Sequence, residues 1–418
     1  MAISTQGIPE TPATPSPGPG ARRRPVVIVA GIVAVVLIGL NLRAGITSAA
    51  ALFHDLQQVL GYGPVVASVL PTIPLLCFAF AGLGTSWLAR RIGVEKAILV
   101  ALILLAAGLL IRAVPTTGAL LAGTVVAMSG LAVCNVAMPS FIREHYAAKT
   151  PLMTGLYTFT MSGGATLAAA ASVPLAQQLG SPSLGLAFWG ILGVAALLGF
   201  LPVVLHTHRN FTRNSSARVP MLPLLRTRLG FLITTTFTFQ GFLAYGVMSW
   251  FAYVLTSEGL SAAESGLQFG LMQFVSVAAG MLLLALGSRR GMLRPAMYIA
   301  SGSTIAGIAA LMFLPTTFAA VSAVLSGVGL GIFPLVLMII SRSGRSTAET
   351  TALSTIAQSL GYLFAALGPF GVGILHSATG TWTLPLGLLM LAGAALMVSC
   401  HLLTSKHTRL TAGPRSVA

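Results

Sequence analysis

"PVVIVAGIVAVVLIGLNLRAGITSAA", residues 25–50, decides the fold. From Pro25 to Leu40 it carries no charged or hydrogen-bonding side chain. It is longer than the ~20 residues that a helix needs to cross a hydrocarbon core about 30 Å thick. The stretch therefore predicts a membrane-spanning helix. Near its far end stand Asn41 and Arg43, and the apolar run stops only at His54 and Asp55. A cation inside such a helix needs a reason.

The rest of the chain repeats the pattern. Of 418 residues, 56% are hydrophobic and 7% charged, against about a quarter charged in soluble domains. Breaking the chain at polar and Pro/Gly-rich joints predicts twelve apolar segments, at about 25–50, 64–88, 97–114, 118–142, 152–176, 184–205, 229–255, 262–287, 293–314, 317–340, 350–375 and 382–403. They are called spans 1 to 12 below. The fold expected is an all-α membrane protein of twelve transmembrane helices in two six-helix halves. Residues 1–24 form a disordered tail, 25–205 the first half, 206–228 a basic loop, 229–403 the second half and 404–418 a second tail. Two similarities support the halving: spans 1 and 7 are each followed by an acidic joint, and spans 5 and 11 are both crowded with small residues. Such crowding allows close helix approach, at a static or a moving interface.

Basic residues set the orientation. Arg22–Arg24, Arg90, Arg91 and Lys96, Arg143 and Lys149, the central-loop arginines, Arg289, Arg290 and Arg294, Arg342 and Arg345, and the C-terminal bases fall at alternate joints. This puts 21 of the 23 Lys and Arg on one side. By the positive-inside rule that side is the cytoplasm, so both termini are expected there, in a bacterial inner membrane. The net charge of +16 is a topology signal, and no nucleic-acid partner is expected. The partners expected are membrane lipids and a small-molecule substrate, with the chain as a monomer. Arg43 and Arg112 do not fit the inside count. Each sits where a long side chain could snorkel to the outer headgroups.

Several motifs carry less than they suggest. Cys77, Cys134 and Cys400 lie in apolar segments and read as small buried hydrophobes. Arg22–Arg24 before an apolar run imitates a signal peptide, but the many further spans need no cleaved leader. "NFT" at 210 and "NSS" at 214 fall in a loop assigned to the cytoplasm. "GVGLGIFP", 327–334, lacks the strand of a nucleotide loop and reads as helix packing or flexing near Pro334.

The seven acidic residues all lie in the tail or the joints. Proton relays at membrane depth use carboxylates or histidines, so exchange or facilitated diffusion fits better than proton symport. No His/Asp/Glu cluster is available for metal or acid–base chemistry, so no enzyme activity, metal or cofactor is expected. The spans instead hold Arg43 and neutral hydrogen-bonding groups. Asn41, Asn135, Tyr157, Gln240, Trp250, Gln358 and Tyr362 are the candidate substrate-binding partners. A buried arginine without a carboxylate must be balanced by backbone carbonyls, water or an anionic ligand. Guanidinium, with planar paired donors, suits a small anion or strongly dipolar molecule.

With these residues in view, the chain resembles the major facilitator superfamily, in its cyanate transporter and 2-nitroimidazole transporter branch. The likeness is carried by "IGLNLRAGITS", "LLIRAVP", "CNVAMPSFIREHY", "LMTGLYTFTMSGGA", "SGVGLGIFPL" and "AQSLGYLFAALGPFGVGIL", spread over most of the chain. The resemblance implies a central cavity between two halves, alternating access, and Asn41 and Arg43 facing that cavity. Arg112 also matches a branch arginine. The chain departs from the branch at Ala44, where a proline is common. At the superfamily's signature between spans 2 and 3 the chain reads "SWLARRIGVEK", 86–96. Gly93 is kept, but Arg90 replaces an aspartate. A gate of Arg90, Arg91 and Gly93 would then have to use Glu95 or Glu144 as its acid.

The expectation is a secondary carrier for a small anionic or polar organic solute, cyanate-like or nitroimidazole-like. Arg43 would be the anchor and Trp250 an aromatic wall. A multidrug-type exporter of neutral compounds is the alternative within transport. A receptor or scaffold would need a larger soluble region than the 206–228 loop.

Overall fold

The structure, a computed structural model, describes residues 25–206, 221–314, 316–344 and 346–405. Residues 1–24 and 406–418, Arg209, Arg213, Arg218, Arg345 and the two asparagine motifs of the loop lie outside the described residues, as does the Arg90 side chain. All the regular elements described are helical.

The twelve spans follow in order. Span 1 is Pro25–Ala51. Span 2 runs through Pro64–Val69, a 3-10 turn at Leu70–Thr72 and Ile73–Ile92. Spans 3, 4 and 5 are Val94–Ile111, Thr117–His145 and Thr150–Gln178. Span 6 joins Pro182–Phe188 to Gly190–His206. Spans 7, 8 and 9 are Arg228–Ser257, Ala262–Ser288 and Leu293–Phe313. Span 10 joins Ala319–Leu330 to Phe333–Ser343, span 11 joins Thr347–Ala365 to Leu367–Thr379, and span 12 is Thr383–Leu403. Eleven of these are long and apolar enough to cross a membrane, and Pro64–Phe80 of span 2 is a shorter apolar helix. The chain is a multi-pass membrane protein. Its two ends are named below by charge, the basic face and the base-free face.

Prolines and glycines set the breaks. Pro71 and Pro74 cannot donate to the preceding turn, and the 3-10 turn sits there. Pro334 opens the second piece of span 10 at its first turn, a position that tolerates a missing N–H. The glycines before it are packing devices. A Cβ on Gly327 would lie 2.6 Å from the Met272 carbonyl of span 8, and one on Gly329 would run into Thr304 of span 9. "GVGLGIFP" is thus a helix-packing seam.

Small residues also bind span 5 to span 1. A Cβ on Gly164 would collide with the Leu40 carbonyl, and one on Gly39 with the Thr160 hydroxyl. Farther along, span 5 meets span 8 of the other half, where a Cβ on Gly270 would come 3.1 Å from Ala170. One side of span 5 is thus packed within its half, and another at the seam between halves.

The joint after span 1 holds a short helix, Phe53–Leu60. Its Phe53 and Leu56 are buried, while Gln57 and Gln58 point outward or lie half-covered, a spacing of three that makes it amphipathic. Gly61 ends it with φ 63°.

Candidate solute site between the halves

Arg43 is half-buried on span 1, and its Nη1 donates to Met248 Sδ on span 7 at 3.8 Å. That contact spans the seam, which rules out the snorkelling alternative for this residue. Around it stand three buried tyrosines, Tyr157 on span 5, Tyr245 on span 7 and Tyr362 on span 11, each close enough to interact electrostatically with the guanidinium. Among the described residues no carboxylate pairs with Arg43. A thioether is a weak acceptor, so most of the guanidinium's donors remain to be met by water or a ligand.

The surrounding groups fall into two sets. Tyr157 donates its hydroxyl to Asn135 Oδ1 at 3.5 Å, tying Asn135 into the site. Tyr362 is walled by rings, with Phe237 at 5.1 Å, Phe78 at 5.3 Å and Tyr245 at 6.2 Å between centroids. Gln358 lies one turn before Tyr362 on the same stripe and donates to Ser354 Oγ at 2.7 Å. Gln240 is buried on span 7, five residues before Tyr245. Asn41 stands apart. Residues two apart on a helix are separated by about 200°, so Asn41 cannot share the Arg43 face. It is 1% exposed, donates back to the Leu37 carbonyl at 2.8 Å, and leaves its Oδ1 buried without a partner.

Trp250 belongs to a different assembly from the expected cavity wall. Its indole N–H is taken by the Pro369 carbonyl at 2.9 Å, and its ring packs on Phe53 at 5.0 Å, Tyr253 at 5.6 Å and Trp382 at 5.9 Å. Tyr253 also meets Phe53 at 5.8 Å, and Trp382 stacks on His376 at 3.8 Å. These rings join the short helix of the first half to spans 7, 11 and 12 at the base-free face. Beside them Gly373 of span 11 lies against Ser68 of span 2, and Gly266 of span 8 lies against the Ala169 carbonyl of span 5. All these seam contacts sit in the base-free part of the helices. Toward the basic face, span 5 exposes Thr154, Thr158 and Phe159, and Gly155 has open space around it.

At the basic face the residues expected to form a gate are arranged within the first half. Gly93 takes φ 90°, in the left-handed range that favours glycine, and so turns span 2 into span 3. Glu95 follows in the first turn, and its Oε1 lies 3.3 Å from His145 Nε2 at the end of span 4. Glu144 is within reach of both. Arg91 lies over the Trp87 ring at 4.6 Å. Glu95 is thus met by a histidine, and with Glu144 the three form a His/Glu cluster where the sequence predicts none, because spans 3 and 4 bring their basic-face ends together.

Arg112 does not snorkel. It is 1% exposed and its Nη1 donates to the Gly45 carbonyl of span 1 at 3.0 Å. Sequence reasoning also missed Met248, because a methionine in a greasy helix is indistinguishable from filler, and Tyr245 as a site residue. The signal was the i, i+3 spacing of Tyr245 and Met248, which puts both on one stripe of span 7.

Comparison with known proteins agrees with this architecture. Residues 32–369 match the family described as the Major Facilitator Superfamily. The chain is 32% identical over 370 residues to the uncharacterized transporter YycB of Bacillus subtilis, covering 88% of this chain and 90% of that one. It is 30% identical over 368 residues to the 2-nitroimidazole transporter of Escherichia coli, with 86% and 91% covered. To the cyanate transport protein CynX of Escherichia coli it is 28% identical over 376 residues, with 88% and 95% covered. A solved structure of the nucleoside transporter NupG superposes with a TM-score of 0.74 at 12% identity, covering 91% of this chain and all of that one, a likeness of fold.

Proposed function

Since the chain belongs to the Major Facilitator Superfamily and is a secondary transporter rather than an enzyme, we propose that it moves a small anionic or strongly dipolar organic solute across the bacterial inner membrane by alternating access. The solute class is cyanate-like or nitroimidazole-like. The basic face is the cytoplasmic one.

One observation carries this reading. Arg43 sits at the seam of the halves, without a carboxylate partner among the described residues, among three tyrosine hydroxyls from spans 5, 7 and 11. An unpaired guanidinium in a low-dielectric setting is costly, and an anion or a nitro group accepting its paired donors offsets that cost. Tyr245 and Tyr362 add hydroxyl donors, Tyr157 having given its own to Asn135, and their rings with Phe78 and Phe237 give an aromatic wall for a planar solute. Because spans of both halves contribute, any relative rotation of the halves remakes the site. The base-free face is closed by the aromatic cluster around Trp250, so this arrangement loads from the basic face. Asn135 and Gln358 support from spans 4 and 11, while Asn41 holds span 1 in its packing.

The relatives named for 2-nitroimidazole and cyanate support the solute class. The test is a thermal-stability screen of purified protein against cyanate, small carboxylates and 2-nitroimidazole, since a ligand that binds only the folded state raises its stability. A rise with cyanate or 2-nitroimidazole that disappears in Arg43→Gln is expected. A rise of equal size in Arg43→Gln contradicts the assignment.

A further inference from the structure

Arg112 opens a second question. The residue is 1% exposed, and its Nε has no hydrogen-bond partner among the described residues. No carboxylate pairs with it among the described residues. Among the described residues its one hydrogen bond is from Nη1 to the Gly45 carbonyl at 3.0 Å. A guanidinium stays protonated at any physiological pH. A full positive charge is thus held in the protein interior with one carbonyl as its hydrogen-bonded partner, which is a costly arrangement for a merely structural tie.

The space beside it is not filled. Arg112 lines a cavity of about 30 Å³ with Gly45, Thr124, Tyr245, Met248 and Ser249. One water needs about 10–15 Å³ measured this way, so the cavity takes a small ion or two waters but no drug-sized molecule. Its lining carries the hydroxyls of Thr47, Thr124, Tyr245 and Ser249 and is otherwise largely apolar. Tyr245 and Met248 also belong to the Arg43 site, so the two compartments share a wall. Its lining residues on spans 1 and 7 lie between Arg43 and the aromatic cluster at the base-free face.

We propose that the Arg112 cavity is a second anion site, taking a monovalent anion of one to three heavy atoms, such as a halide or a linear pseudohalide. The site stands on its own geometry; its place in the transport route, one step beyond Arg43 toward the base-free face, rests on the function proposed above. This cavity favours small, weakly hydrated anions, which lose little on entering an apolar pocket, whatever larger solute the Arg43 site takes.

Bromide tests this directly. The full chain is crystallised in sodium bromide, and a map is computed from the anomalous scattering of bromine. The proposal expects a bromide peak against the Arg112 guanidinium in the wild type and in Arg43→Gln, and loss of that peak in Arg112→Gln. A wild-type map with bromide at Arg43 and only water at Arg112 overturns the second site and leaves the Arg43 reading intact. A map with bromide at Arg112 alone does the reverse. Failure of Arg112→Gln to fold does not block the test, because the wild-type and Arg43→Gln maps decide it.

Discussion

Arg43 on span 1 and Met248 on span 7 meet across the seam of the two halves, guanidinium nitrogen to thioether sulfur, at 3.8 Å. The contact is a poor one for a guanidinium and leaves its stronger donors free. It places the cation where each half supplies part of its surroundings, with Tyr157 from the first half and Tyr245 and Tyr362 from the second.

If the tyrosine hydroxyls donate to the solute, removing one costs a hydrogen bond and little else. Tyr362→Phe keeps the ring that packs on Phe78 and Phe237. A hydrogen bond to a charged group contributes about 1.5–3 kcal/mol, so KM for uptake should rise about tenfold or more with the protein level unchanged. An unchanged KM would show that the hydroxyl does not touch the solute.

The neighbouring glycines Gly163 and Gly164 should respond oppositely to the same change. Gly163 has open space, so Gly163→Ala should be neutral or stabilising by up to about 1 kcal/mol through helix propensity. Gly164→Ala drives a methyl into the Leu40 carbonyl and should cost about 1–3 kcal/mol. Melting temperatures in detergent separate the two.

Closure of the base-free face depends on Phe53, the first-half ring inserted against Trp250 and Tyr253. Phe53→Ala should open a path to the cavity behind it, which Ser249 lines. A cysteine placed at Ser249 should then react faster with a membrane-impermeant maleimide applied at the base-free face. Equal reaction rates with and without Phe53 would remove the aromatic cluster from the barrier.

Glu95 and His145 should behave as a pair. Their side-chain exposures are 14% and 4%, so the contact is largely shielded from solvent. Glu95→Gln and His145→Gln should therefore be non-additive, with a coupling of about 0.5–3 kcal/mol in a double-mutant cycle on thermal stability. Strict additivity would mean that the two act independently at the gate.

Much of this was readable in the residues, for a physical reason. Apolar length and the alternation of bases define spans whatever their packing, and Arg43 announced itself because a cation in a span, with no acidic residue in the middle of any span, lacks a local explanation. Arg112 was ambiguous, since an arginine at the end of a span looks the same whether it points to headgroups or inward. Asn41 and Arg43 read as a pair, but helix geometry sets them on different faces, and periodicity should have shown it. Met248, 205 residues from Arg43, carries no polar signature. The short helix Phe53–Leu60 and the breaks in spans 6, 10 and 11 arise from tertiary packing around small residues and prolines, which local pattern places only loosely.

The central claim is that Arg43 holds the solute during transport. Uptake of radiolabelled cyanate and of 2-nitroimidazole into proteoliposomes containing equal amounts of folded wild-type or Arg43→Gln protein tests it most directly. The account predicts that entry of the transported solute falls to the level of empty liposomes in Arg43→Gln, while melting temperature stays near that of the wild type. Entry at the wild-type rate in Arg43→Gln would contradict it.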